Sequence, residues 1–184
     1  MMLNTRMLYS CDAEYLCSLL DMNNTDVQQI LDECKNDLAG VKSIIDSLGY
    51  SSNIVPYLNK YAIIRACGVV EVAFKAIIAD FCSKRVKKQV KYYLDRKVRN
   101  ASSNPSFDNI CKFLGDFDEQ WKKDFKDRIK AHPDSTRLKT SIESLVNARN
   151  EFAHGGNPST TIADVISYFS DFHAVILILD AILS

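Results

Sequence analysis

Thr25–Leu48 reads TDVQQILDECKNDLAGVKSIIDSL, with apolar residues at Val27, Ile30, Leu31, Cys34, Leu38, Val41, Ile44, Ile45 and Leu48. The steps are threes and fours sustained over about six turns, the spacing that draws one apolar stripe along an α-helix. Thr25 stands where a hydroxyl can cap the first turn. Gly49 ends the segment, with Ser51, Ser52 and Asn53 as the following turn.

The same period runs outward in both directions. Upstream, Asp12–Met22 places Ala13, Leu16, Cys17 and Leu20 on one side of a short helix. Downstream, a helix is expected from about Pro56 to Cys82, striped by Ile63 or Ile64, Cys67, Val70, Phe74, Ile77 or Ile78, and Phe81. Glu71 falls on that stripe. Val86, Val90, Tyr93 and Leu94 keep the period through the next segment. Asn100–Pro105 is a polar loop, and Phe107–Arg128 reads as one or two short helices with Ile110, Phe113, Leu114, Phe117, Trp121 and Phe125 inward. After a loop containing Pro133, Asp134 or Ser135 can cap a helix running to His154, which Gly155 and Gly156 end before Pro158. A last helix spans about Thr160–Leu183. No strand alternation and no hairpin signal interrupt this pattern. The expectation is an all-α chain, an up-and-down bundle of five or more helices forming one domain over 1–184.

Composition narrows the function classes. Among 184 residues, 47% are apolar and 25% charged, enough for a real core. Lys+Arg 23 against Asp+Glu 23 gives zero formal charge, which excludes a wholly basic coat for nucleic acid but not a local patch. The charge is unevenly spread. Residues 1–50 carry three Lys/Arg and eight Asp/Glu, net −5, whereas Lys84–Arg99 carries eight Lys/Arg and one acid, Asp95, net +7. The six cysteines (Cys11, Cys17, Cys34, Cys67, Cys82 and Cys111) show no CxxC spacing and no neighbouring His. They read as reduced, mostly buried thiols, with neither a zinc site nor a disulfide framework. The longest apolar run, Ala174–Leu179, stops at Asp180, and the N-terminus has no signal core. A cytoplasmic protein without a membrane span, metal or other cofactor is expected.

The stretch that carries chemistry is Ser144–Gly156, SLVNARNEFAHGG. At helical spacing, Ile142, Leu145, Val146, Phe152 and Ala153 lie within about 60° of the Arg149 direction, which sets Arg149 in the middle of an apolar face. Asn150 and His154, four apart, share its edge. An arginine so placed needs an anionic partner. Histidine exchanges a proton near neutral pH, so Arg, Asn and His together can hold a phosphate and move a proton. That set suffices to cleave RNA through its own 2′-hydroxyl without metal. The spacing alone also fits an Arg–carboxylate core pair with a helix-capping His.

The ARNEFAHGG segment resembles the RN-x3-H signature of HEPN domains. The long helix after STTIADV, the Phe107–Trp121 region and the GVVE segment Gly68–Glu71 are most similar to the RiboL-PSP-HEPN branch. The resemblance spans about Tyr61–Leu183. It implies a HEPN-like core over 55–184, with 1–50 as an N-terminal helical extension. It also implies a homodimer whose facing motifs form a metal-independent endoribonuclease, used in toxin–antitoxin or anti-phage defence and restrained by an antitoxin or another defence-system protein. On this resemblance Arg149, Asn150 and His154 are the catalytic residues. A non-catalytic helical module binding a nucleotide, RNA or a protein is the competing reading.

Glu71 wants a cation, and Arg149 is the natural candidate; the alternative is that Glu71 tips to solvent. Lys84, Arg85, Lys87, Lys88, Lys91, Arg96, Lys97 and Arg99, interleaved with Tyr92 and Tyr93, form a candidate RNA-binding segment. The alternatives are a solvated helix face or a contact with the acidic N-terminal region. His132 and His173 read as structural, and Trp121 as core.

Overall fold

A computed structural model describes residues 22–184. The segment read as a helix from Asp12 falls, but for Met22, outside them, as do Cys11 and Cys17. Seven α-helices and one π-helical segment, with no strand, make up the described residues. They are α1 (Thr25–Leu48), α2 (Val55–Cys82), α3 (Lys88–Leu94), the π segment Asp95–Arg99, α4 (Phe107–Phe117), α5 (Glu119–Ala131), α6 (Ser135–Ala153) and α7 (Ile162–Leu183).

Helix α1 buries Val27, Leu31, Cys34, Leu38, Val41 and Ile45. Ile44 and Leu48, expected on the same stripe, are exposed, so the buried seam is narrower than the apolar arc. Its cap is Asn24 and not Thr25: the Val27 N–H donates to Asn24 Oδ1 at 3.1 Å. Gly49 leaves the helix at φ 78, the left-handed region where glycine carries no Cβ penalty.

Helices α2 and α7 form the most extensive pairing, and α1 and α6 pack on both of them. Residues 25–48 are thus built into the same core as the later helices. Helix α7 starts with a reciprocal cap: Thr161 Oγ1 accepts from the Asp164 N–H, and the Thr161 N–H donates to Asp164 Oδ2 at 2.9 Å. By length and composition α7 would pass for a membrane span, contrary to the sequence expectation that no helix would. Here it is the central helix, with Phe172, Val175, Ile176 and Leu179 fully buried. Its two buried acids have partners. Asp171 accepts from Ser141 Oγ at 2.6 Å and Arg137 Nε at 3.2 Å, and Asp180 accepts from the Asn23 side chain at 3.1 Å.

The Phe107–Arg128 region resolves into two helices because Asp118 leaves the helical conformation and its side chain accepts from the Gln120 N–H at 2.7 Å. Trp121 sits edge-on to Phe81 at 5.2 Å as a core residue. The α5–α6 turn uses His132, whose Nδ1 accepts from the Asp134 N–H. His173 is half-buried on α7, and burial lowers its pKa. His132 thus serves the fold, whereas the buried Nε2 of His173 has no partner among the described residues.

Candidate functional site

Helix α6 carries Arg149 and Asn150, and His154 is its C-cap. The two glycines that follow fix where His154 stands. Gly155 takes φ 83 and donates to the Phe152 carbonyl at 3.0 Å; Gly156 donates to the Glu151 carbonyl at 2.8 Å. A Cβ on Gly156 would lie 2.6 Å from Glu151 Cγ and 2.8 Å from the Glu151 carbonyl oxygen, so only glycine fits without a shift. The chain therefore wraps tightly around the helix end and leaves the His154 side chain exposed.

The buried face of α6 is Leu138, Ser141, Ile142, Leu145, Val146 and Ala148. Phe152 is half-buried and Ala153 exposed. Arg149 is accordingly not the centre of the apolar face. It is half-buried, near the C-terminal end of the stripe. The Arg149 Nη1 donates to Asn150 Oδ1 at 3.1 Å. Among the described residues no carboxylate lies within ion-pairing distance of its guanidinium. It stands near Cys67 of α2: burial pushes that thiol up to about 12, while the Arg149 charge pulls it down and Glu71 pushes it further up.

Glu71 does not pair with Arg149. Its Oε1 accepts from Lys75 Nζ at 2.8 Å and from the Ser103 N–H at 2.8 Å. The cause is local geometry: Lys75 lies one helical turn further along α2, on the same face. Lys75, only 4% exposed, also donates to the Ala101 carbonyl. The Asn100–Ser106 loop is thereby tied down over α2, and Asn104 Nδ2 reaches Asn150 Oδ1 at 3.3 Å. Sequence reasoning misses Lys75 and Asn104 as site residues. The only signal is Glu and Lys four apart on an apolar helix.

The basic segment is organised differently from the expected stripe. Lys84–Lys87 form a non-helical corner with Arg85 at φ 60, and only Leu94 and Val98 are buried, against Ala79. Val86, Val90, Tyr92 and Tyr93 are exposed. Lys84, Arg85, Lys87, Lys88, Lys91, Arg96 and Lys97 are exposed, with the Lys84 ammonium 5.2 Å from the Phe81 ring. Arg96 stacks on the Tyr92 ring at 5.8 Å. Arg99 differs from the others: it is held by Asp80 and Asp95, so it anchors the segment to α2. No group of three His, Cys, Asp or Glu side chains converges as a metal-holding set among the described residues.

A family model described as RiboL-PSP-HEPN matches residues 25–184. The chain belongs to the RiboL-PSP-HEPN family. The match begins at Thr25, so α1 lies inside the family's span together with Glu71, the Asn104 loop and the α6 motif. Membership makes the chain a HEPN-type helical bundle, a module of the ribonuclease or nucleotide-binding kind. No curated protein and no solved structure matches it.

Proposed function

We propose that this HEPN chain is a metal-independent RNA endonuclease. The observation that carries the reading is the state of the α6 end: a half-buried arginine with a neutral amide for its partner, beside an exposed histidine held at a rigid cap. His154 takes the proton of a 2′-hydroxyl, or in the reverse role protonates the leaving 5′-oxygen. The 2′-oxygen forms its bond to phosphorus, the bond to the 5′-oxygen breaks, and the products are a 2′,3′-cyclic phosphate and a 5′-hydroxyl. Arg149 balances the charge that gathers on the phosphoryl oxygens. Asn150, which accepts from Arg149, orients it. The exposed cations of Lys84–Lys97 grip the RNA backbone.

One chain supplies one such His/Arg set, so acid and base are best divided between two copies. A homodimer is supported by the exposed row Tyr57, Tyr61, Ile64 and Val72 on α2, next to Lys60, whose Nζ lies 5.4 Å from the Phe152 ring beside the motif. The setting we propose is toxin–antitoxin or anti-phage defence in the cytoplasm, with a neutralising protein partner.

Zero net charge favours a second reading, a binding module for a nucleotide, RNA or a protein. Incubating the purified chain with a mixed RNA pool, with and without EDTA, separates the two. Cleavage that persists in EDTA and leaves cyclic phosphate ends is the expected result. Binding without cleavage by a well-folded preparation would install the module instead.

A further inference from the structure

Arginine has donors only, so the Asn150 side chain must turn its oxygen toward Arg149. The group that meets the same oxygen from the other side must then also be a donor, and it is Asn104 Nδ2. The backbone on both sides of Asn104 is fixed. Lys75 holds the Ala101 carbonyl, Glu71 holds the Ser103 N–H, Pro105 is buried, and Asn109 Nδ2 donates to the Asn104 carbonyl at 3.0 Å. The remaining side-chain acceptor, Asn104 Oδ1, is buried without a protein partner. A carboxamide held in that costly orientation is held by the contact it makes on its other side.

We propose that Asn104 is a positioning residue: clamped by Glu71 and Lys75, it locks the amide of Asn150 and, through it, the guanidinium of Arg149. Without the Asn104 donor, Arg149 alone holds the Asn150 oxygen, and the pair loses the contact that ties it to the fixed loop. Glu71 thus serves the site through the loop and not by pairing with Arg149. The kinetic consequence rests on the ribonuclease reading; the orientation itself does not.

Three variants test it: Asn104→Ala, the isosteric Asn104→Asp, which faces Asn150 Oδ1 with an acceptor, and Ser102→Ala as a control on the exposed part of the same loop. The first readout is independent of activity: the side-chain NMR signals of Asn150 NH2 and Arg149 Nε–H in the free protein, assigned with Asn150→Asp and Arg149→Lys. Both signals should shift or broaden in the two Asn104 variants and stay in place in Ser102→Ala. The second readout uses a short RNA that the parent cleaves. There kcat should fall about tenfold or more with KM nearly unchanged, the behaviour of a misplaced reacting group and not of weakened binding. Unmoved Arg149 and Asn150 signals in both Asn104 variants overturn the proposal, as does a parental kcat in variants whose signals move. If the parent cleaves no RNA at all, the ribonuclease reading fails, and the NMR signals alone decide the lock.

Discussion

Lys75→Met probes the clamp beneath the site. Lys75 is 4% exposed, and its ammonium holds both the Glu71 carboxylate and the Ala101 carbonyl. Methionine fills nearly the same volume, so packing is kept and the charge removed. Breaking a buried pair from one side typically costs about 3–5 kcal/mol, because the other charge stays behind. Glu71 is 16% exposed and keeps the Ser103 N–H, which places this case near the low end, about 3 kcal/mol. For a chain of this length each kcal/mol is worth about 2–4 °C, so the melting temperature should drop by about 6–12 °C. Glu71→Gln/Lys75→Met removes the stranded charge, and Gln can still accept from Ser103; the double variant should recover part of the loss. Calorimetry on the four proteins of this cycle gives the coupling directly. The pairing is wrong if Lys75→Met melts within about 1 °C of the parent, or if the double variant loses the simple sum of the two single losses.

Arg149→Ala should abolish cleavage yet melt close to the parent, since no carboxylate is stranded; a large loss of stability would reveal a buried partner. His154→Ala should likewise stop cleavage of the RNA pool without unfolding, and a variant as active as the parent would remove His154 from the mechanism. Reversing Lys84, Arg85, Lys87 and Lys88 to Glu should lower the slope of log affinity against log salt, read from RNA binding across a salt series. The drop should be about 0.7 for each single-strand phosphate that no longer meets a cation. An unchanged slope would assign the segment to a protein contact. In native protein at pH 8, Cys34 and Cys67, whose thiols burial pushes up to about 12, should resist alkylation in peptide mass maps. Only about one thiol in ten thousand would be ionised there, and rapid labelling of either would contradict its burial.

Most helices are legible because their apolar residues recur at threes and fours and their ends carry local chemistry. The clearest end is His154-Gly155-Gly156, where one glycine supplies the left-handed φ and the other supplies space. Angular spacing misleads at Arg149. It counts Phe152 and Ala153 as core, but Phe152 is only half-buried and Ala153 is exposed. Glu71 does need a cation, as its place on the stripe implies. The nearer answer, Lys75, is hidden because a lysine on a helix is ordinarily solvated, whereas this one is buried and bonded to the Ala101 carbonyl of a distant loop. Asn104 has no local signal. Its contact with Asn150 joins residues 46 apart through a loop whose path is set by tertiary hydrogen bonds.

Three arginines that tie the fold together contrast with the one at the site. Arg65 meets Asp37, Arg99 meets Asp80 and Asp95, and Arg137 meets Asp134 and Asp171. In each, a carboxylate both orients and neutralises the guanidinium, which suits a structural tie. Arg149 meets Asn150, whose amide oxygen orients it and leaves its charge whole. Asn150 is in turn held by Asn104, again a neutral amide, and the charged pair that steadies the assembly, Glu71 with Lys75, is committed to the loop. On the ribonuclease reading proposed above, the positive charge of Arg149 is the group that meets the RNA phosphate, next to the exposed His154 imidazole. An acid at 150 would neutralise the arginine; the asparagine there accepts its hydrogen bond and leaves the charge in place.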